Sequence, residues 1–168
     1  MTTRQPVNVG WNSDELAAPG TYCLILRLEK AARIRIGALC GVPFPAGWYA
    51  YVGSALGSGG LKARLSHHVR RTGRCHWHID YLRQRAVVEG AFVTLADVSY
   101  EHRWALRVSR TPEATIPARG FGASDCRCPA HLFHFKHRSL IGTLERFLVA
   151  QIPPKQLLTF LHYRKNCS

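Results

Sequence analysis

Between residues 62 and 85 stand seven Lys and Arg (Lys62, Arg64, Arg70, Arg71, Arg74, Arg83, Arg85), four histidines and a single acid, Asp80. A solvated helix face normally mixes both signs of charge. A run this one-sided suits a phosphate backbone, because each neutralised phosphate releases a counterion. Lys62, Arg70, Arg71 and Arg74, with His76 and His78 of the His76-Trp77-His78 triplet, are the expected nucleic-acid contacts. Arg64 and His68 stand four apart beside the apolar series Leu61, Leu65, Val69, at the margin of a core, where reactive side chains often sit. A second group, Cys126-x-Cys128-x-x-His131-x-x-His134, places four metal-capable side chains within nine residues. That spacing is tighter than the usual zinc pattern. The segment therefore reads first as a loop shaped around a cleft, with Phe133 and Phe135 packed inward, and zinc held by these four residues is the alternative.

These residues need elements to hold them. Residues 20–28 read as a strand rich in β-formers, and residues 33–37 as a half-exposed strand in a hairpin with it. A Gly- and Pro-rich turn at 41–47 leads to an aromatic strand at 48–52, then to a glycine loop at 53–60. That loop fits neither a P-loop nor a dinucleotide fingerprint, since Gly60 is followed by Leu-Lys-Ala. Helices are expected over 61–71, 77–85 and 100–110, strands over 90–96 and 131–135, and a helix ending near Pro153-Pro154 with a basic tail after it. The order predicts an α+β fold: a small central, mostly antiparallel sheet flanked by helices. Its divisions would be an arm at 1–19, one domain at 20–138, and a C-terminal helix and tail at 139–168.

Composition narrows the function. The 168 residues are 46% hydrophobic and 20% charged, enough for one packed domain and too apolar for wholesale disorder. The formal charge is +13 and the pI about 10.1, which implies a polyanionic partner. No apolar run approaches the roughly 20 residues of a membrane span, and residues 1–19 lack the apolar stretch of a secretory signal. A cytoplasmic protein with six reduced cysteines is expected.

Three separated elements carry a more specific signal. Gly20-Thr21-Tyr22 opens the first strand, Tyr51-Val52-Gly53 closes the aromatic one, and Arg64 with His68 follows on the next helix. In these the chain resembles the GIY-YIG nuclease superfamily. Within it, the chain looks like the Uri-type endonuclease branch, on the residue blocks 51–55, 59–65, 76–82 and 120–128; the likeness covers roughly residues 20–135. The chain departs from the pattern with Thr21 where isoleucine is usual, and no cysteine follows Glu101 as that branch would have it.

The resemblance implies a metal-dependent endonuclease that hydrolyses phosphodiester bonds in DNA, in repair or in defence against foreign DNA; the expected partner is a nucleic acid, with DNA ranked ahead of RNA. It also implies that Tyr22, Tyr51, Arg64, His68 and Glu101 form the catalytic set. Glu101 would be the protein ligand of a hydrated Mg²⁺ (or Mn²⁺), and Arg64 would clamp phosphate oxygens. Tyr51 or His68 would take the proton of the attacking water, and Tyr22 would orient water or phosphate. The rival function is a non-catalytic nucleic-acid-binding module on the same fold.

Overall fold

A computed structural model describes residues 11, 13–36, 39–70, 74–154, 156 and 158–163. Its centre is β1 (Gly20–Leu28), whose residues are all buried except half-buried Arg27. A strand covered on both faces reads as a near-continuous apolar run, as Tyr-Cys-Leu-Ile-Leu does here. Its two edges are taken by β4 (Gly47–Ala55) and β5 (Val87–Leu95). Beyond these lie β6 (Leu132–Phe135) on β4 and β7 (Thr159–His162) on β5. The sheet order is β6-β4-β1-β5-β7, with every pairing antiparallel. The expected α+β class is observed.

Strand periodicity sorts the side chains onto two faces. Tyr22, Leu24, Leu26, Tyr49 and Tyr51 meet Leu61 and Leu65 of α1 (Gly60–Val69) and Ile79 and Leu82 of α2 (His78–Arg83). On the opposite face Cys23, Ile25, Ala50 and Val52 meet Trp104, Ala105 and Val108 of α3 (Glu101–Ser109). Leu140, Leu144 and Leu148 of α4 (Leu140–Val149), one stripe at four-residue spacing, complete that second core.

Three expectations change. The half-exposed strand β2 (Ala32–Ile36) pairs with β3 (Leu39–Phe44), which arises from the expected turn, and not with β1. The reason is that β1 has no free edge. The helix expected to run to Pro153-Pro154 ends at Val149, and the segment after it includes β7, which joins the central sheet. Leu161 is buried there and Phe160 packs on Phe92 with ring centroids 4.6 Å apart, so residues 159–162 belong to the domain. The lead-in is ordered too: a 3-10 turn, Asp14–Ala17, buries Leu16, and the Ala18 carbonyl accepts the Leu61 N–H at the start of α1. Residues 1–10, 12 and 164–168 of the expected arm and basic tail lie outside the described residues.

Candidate functional site

At one end of the sheet a cleft of about 400 Å³ is lined by Tyr22, Tyr51, Arg64 and Glu101, together with His76, Trp77, His78 and Asp125. Four of the five residues expected to form the catalytic set therefore share one opening, although they span residues 22–101. Adjacent strands supply the tyrosines, with Tyr22 paired to Gly53 and Tyr51 to Leu24. Gly53 is required at that register position. A Cβ there would lie 2.4 Å from the Tyr22 hydroxyl, so only glycine lets the ring cross the neighbouring strand.

Arg64 projects from α1, which docks its Leu61 and Leu65 on the same sheet face. Its guanidinium lies over the Trp77 ring, 4.2 Å from the centroid. Such a cation–π contact orients the group and leaves its N–H fork free for an anion. Trp77 in turn is held by Asp80. This buried carboxylate accepts the backbone N–H of His76 (2.8 Å) and of Trp77 (3.0 Å), and touches the His67 ring and Arg83. The acid that looked like an interruption in the basic run is the post that fixes one wall of the cleft. Arg83 is likewise buried and structural, donating to the carbonyls of His68 and Arg70.

Glu101 arrives from the other layer. Helix α3 packs on the opposite sheet face from α1, but its first residue stands at the end of the sheet and turns its side chain into the cleft. Thr21 sets that start point: its Oγ1 accepts the N–H of Tyr100, the residue before Glu101, at 2.9 Å in a buried contact. Threonine at this position thus has a specific purpose that isoleucine would not serve. The Ser54 hydroxyl donates to Glu101 Oε2 at 2.5 Å. His131 Nδ1 lies 2.9 Å from Oε1, bent away from the line of a good hydrogen bond. Burial works against charge on Glu101, yet the contacts from His131 and Ser54 outweigh it and hold the carboxyl below its ordinary value. The carboxylate is ionised at neutral pH.

His68 is placed differently from the other four. It is buried and absent from the lining of the cleft, with Nε2 2.8 Å from the Tyr22 hydroxyl. Burial first, then the nearby Arg83 and His67, push its pKa down to about 3, so the ring is neutral. Nδ1 has no partner among the described residues. The tautomer that donates from Nε2 leaves the Tyr22 O–H free to point at a cleft occupant. His68 is thus a positioning residue for Tyr22. Between the two candidate bases, only Tyr51 lines the cleft. Burial, then the charge of Glu101, raise the Tyr51 phenol above its ordinary value, while Arg64 pulls it down.

Of the expected nucleic-acid contacts, His76 and His78 line the cleft. The Lys62 ammonium is paired with Asp14 at 2.7 Å, while Arg70 and Arg74 are exposed outside the cleft lining. Arg71 lies outside the described residues. The four residues expected to hold zinc are not brought together as a set. The His134 ring turns to Thr115 and to the Ala46 carbonyl, because the alternation of β6 points it along Tyr49, away from Cys126. Cys126 and His131 do meet, and the third ligand-capable neighbour is His102. Sequence reasoning passed over Ser54, Trp77 as the partner of Arg64, and His102. Ser54 offered the one legible signal, since a hydroxyl directly after Tyr-Val-Gly must sit at the end of that strand.

The arrangement defines an antiparallel α+β domain with a polar cleft that collects one carboxylate, one stacked guanidinium and two tyrosines. The chain matches the family model described as "Domain of unknown function DUF123" over residues 21–150 and belongs to that family. No curated protein and no solved structure matches the chain.

Proposed function

We propose that this protein is a metal-dependent endonuclease that hydrolyses phosphodiester bonds in DNA. The observation that carries the reading is the convergence of Tyr22, Tyr51, Arg64 and Glu101 on one cleft from two strands and two helices on opposite faces of the sheet. Four of the five catalytic residues that the resemblance to the GIY-YIG superfamily, and its Uri-type branch, implies are among those that line this cleft. The charge of +13 supplies attraction to a polyanion. Repair or defence in the cytoplasm is the corresponding role.

The donor set fits a hydrated Mg²⁺ or Mn²⁺. Glu101 is ionised, opens on a cleft with room for water, and has Asp125 in the same lining as a second oxygen source. The ion would supply charge neutralisation at the phosphate and acidify water. Arg64, preset by Trp77, grips two phosphate oxygens. Tyr51, its phenol raised by burial, becomes a competent base only as cationic charge collects beside it, which couples proton removal to occupancy. Tyr22, held from behind by His68, offers its O–H to the water or a phosphate oxygen.

The test is nicking of plasmid and of single-stranded DNA and RNA in Mg²⁺ and in Mn²⁺, with binding measured separately in EDTA. Wild type should cut DNA only with metal. Glu101→Ala and Arg64→Ala should each abolish cutting, the second with the greater loss of binding. Wild type that binds and never cuts would establish the binding-module alternative. Cutting at full rate in EDTA would remove the metal from the reading.

A further inference from the structure

Next to Glu101, through His131 and outside the cleft lining, lies a group of side chains that the proposed reaction does not use. His102, Cys126 and His131 each present a donor atom, and these atoms lie within 4.8 Å of one another. His131 Nε2 is 3.4 Å from Cys126 Sγ, and the His102 and His131 rings have centroids 5.9 Å apart. Cys128, two residues further along the same loop, offers a second thiol just outside this cluster. His131 is buried, Cys126 and Cys128 are half-buried, and His102 is exposed, so the cluster is open on one side.

We propose that His102, Cys126 and His131, with Cys128 as fourth donor, form a Zn²⁺ site that fixes Glu101 and the loop walling the cleft. One thiolate and two imidazoles within this distance, with a second thiol two residues along the chain, suit tetrahedral Zn²⁺ better than the oxygen-seeking Mg²⁺. The other nitrogen of His131 faces a carboxylate, the arrangement that orients metal-bound histidines and strengthens them as donors. With Nε2 committed to the metal, Nδ1 must carry the proton, and it then donates to Glu101 Oε1. The bent contact has a reason to straighten once Nε2 is drawn toward an ion. The site ties three segments together: the start of α3, the 120–128 loop that brings Gly122, Ser124 and Asp125 to the cleft, and the entry to β6.

The line Glu101, His131, Cys126 could also serve a thiol nucleophile. Two features favour the metal: a second imidazole, that of His102, converges on the same point, and Cys126 does not line the cleft where a substrate would meet it. Zinc binding rests on these side chains alone and holds whether or not the cleft cuts DNA.

The full chain, kept reduced and stripped with chelator, is titrated with Co²⁺ and followed by absorption. One equivalent should give tetrahedral d–d bands and a thiolate-to-cobalt charge-transfer band, both erased by Zn²⁺ in competition. His102→Ala alters an exposed residue, so the fold should persist while affinity falls at least tenfold. Cys126→Ser and Cys128→Ser should each remove part of the thiolate band. Glu101→Gln should weaken Zn²⁺ by about 10–100-fold, the effect of losing a partner that orients a ligand. His134→Ala should change nothing. Absence of a thiolate band, or a band indifferent to both His102→Ala and Cys126→Ser, would overturn the site. So would rapid alkylation of Cys126 that saturating Zn²⁺ does not slow. Stoichiometric cobalt in a protein that never nicks DNA would remove the nuclease reading and leave this one standing.

Discussion

His68 should make this protein acid-sensitive in a window where its carboxylates are still silent. Its ring is buried and neutral with a pKa of about 3, against an ordinary value of 6.5. A histidine depressed in the folded state contributes nothing above pH 6.5, where it is neutral both folded and unfolded. Below that the unfolded chain takes up a proton that the native chain refuses, so stability falls as pH falls, by up to about 1.4 kcal/mol per pH unit. Integrated from about pH 6.5 to about pH 4.5, His68 alone should remove about 2 kcal/mol. Asp80 and Glu101 are both held below their ordinary values, so their losses begin only near and below those values. Urea unfolding at steps through this range measures the slope. His68→Gln keeps a polar partner for Tyr22 without a titrating ring. The variant should start less stable and lose less with acid, so the two curves converge toward about pH 4.5. Parallel curves would refute the burial argument and with it the role of His68 as a neutral prop behind Tyr22. A functional readout accompanies it: if His68 only positions Tyr22, His68→Gln should lower turnover while leaving the pH profile of activity in place.

Thr21→Val removes the acceptor for the buried Tyr100 N–H and should cost about 1–3 kcal/mol in chemical denaturation. Nicking should fall further than that stability loss explains, because Glu101 is released with the helix start. Replacing exposed Arg70 and Arg74 by Ala should lower the slope of log affinity against log salt by roughly 0.9 for each duplex phosphate that these side chains neutralise. Base preference should be unaffected, since such contacts position DNA without reading it. An unchanged slope would place the nucleic acid on another face.

Local pattern was enough for the class of fold and for much of the site's membership. The apolar run of β1, the aromatic run of β4 and the Leu61–Leu65 spacing on α1 each formed an element where periodicity placed it, give or take a few residues. Tyr22, Tyr51 and Glu101 were legible through the resemblance to the GIY-YIG superfamily, and Arg64 also through its place beside the Leu61, Leu65, Val69 series. Pairing was not legible in the same way. Only the complete sheet shows that β1 has no edge left for β2, and that the segment after α4 closes the far side as β7. Burial also belongs to the tertiary structure: His68 read as a reactive side chain at the core margin and Asp80 as the single acid in a basic run, and packing against α2 and β1 turned one into a neutral support and the other into an anchor. The meeting of His102 with Cys126 and His131 is the clearest case. Those residues lie on a helix start, a loop and a strand entry, and no periodicity within one element can say that three separate segments meet at a single point.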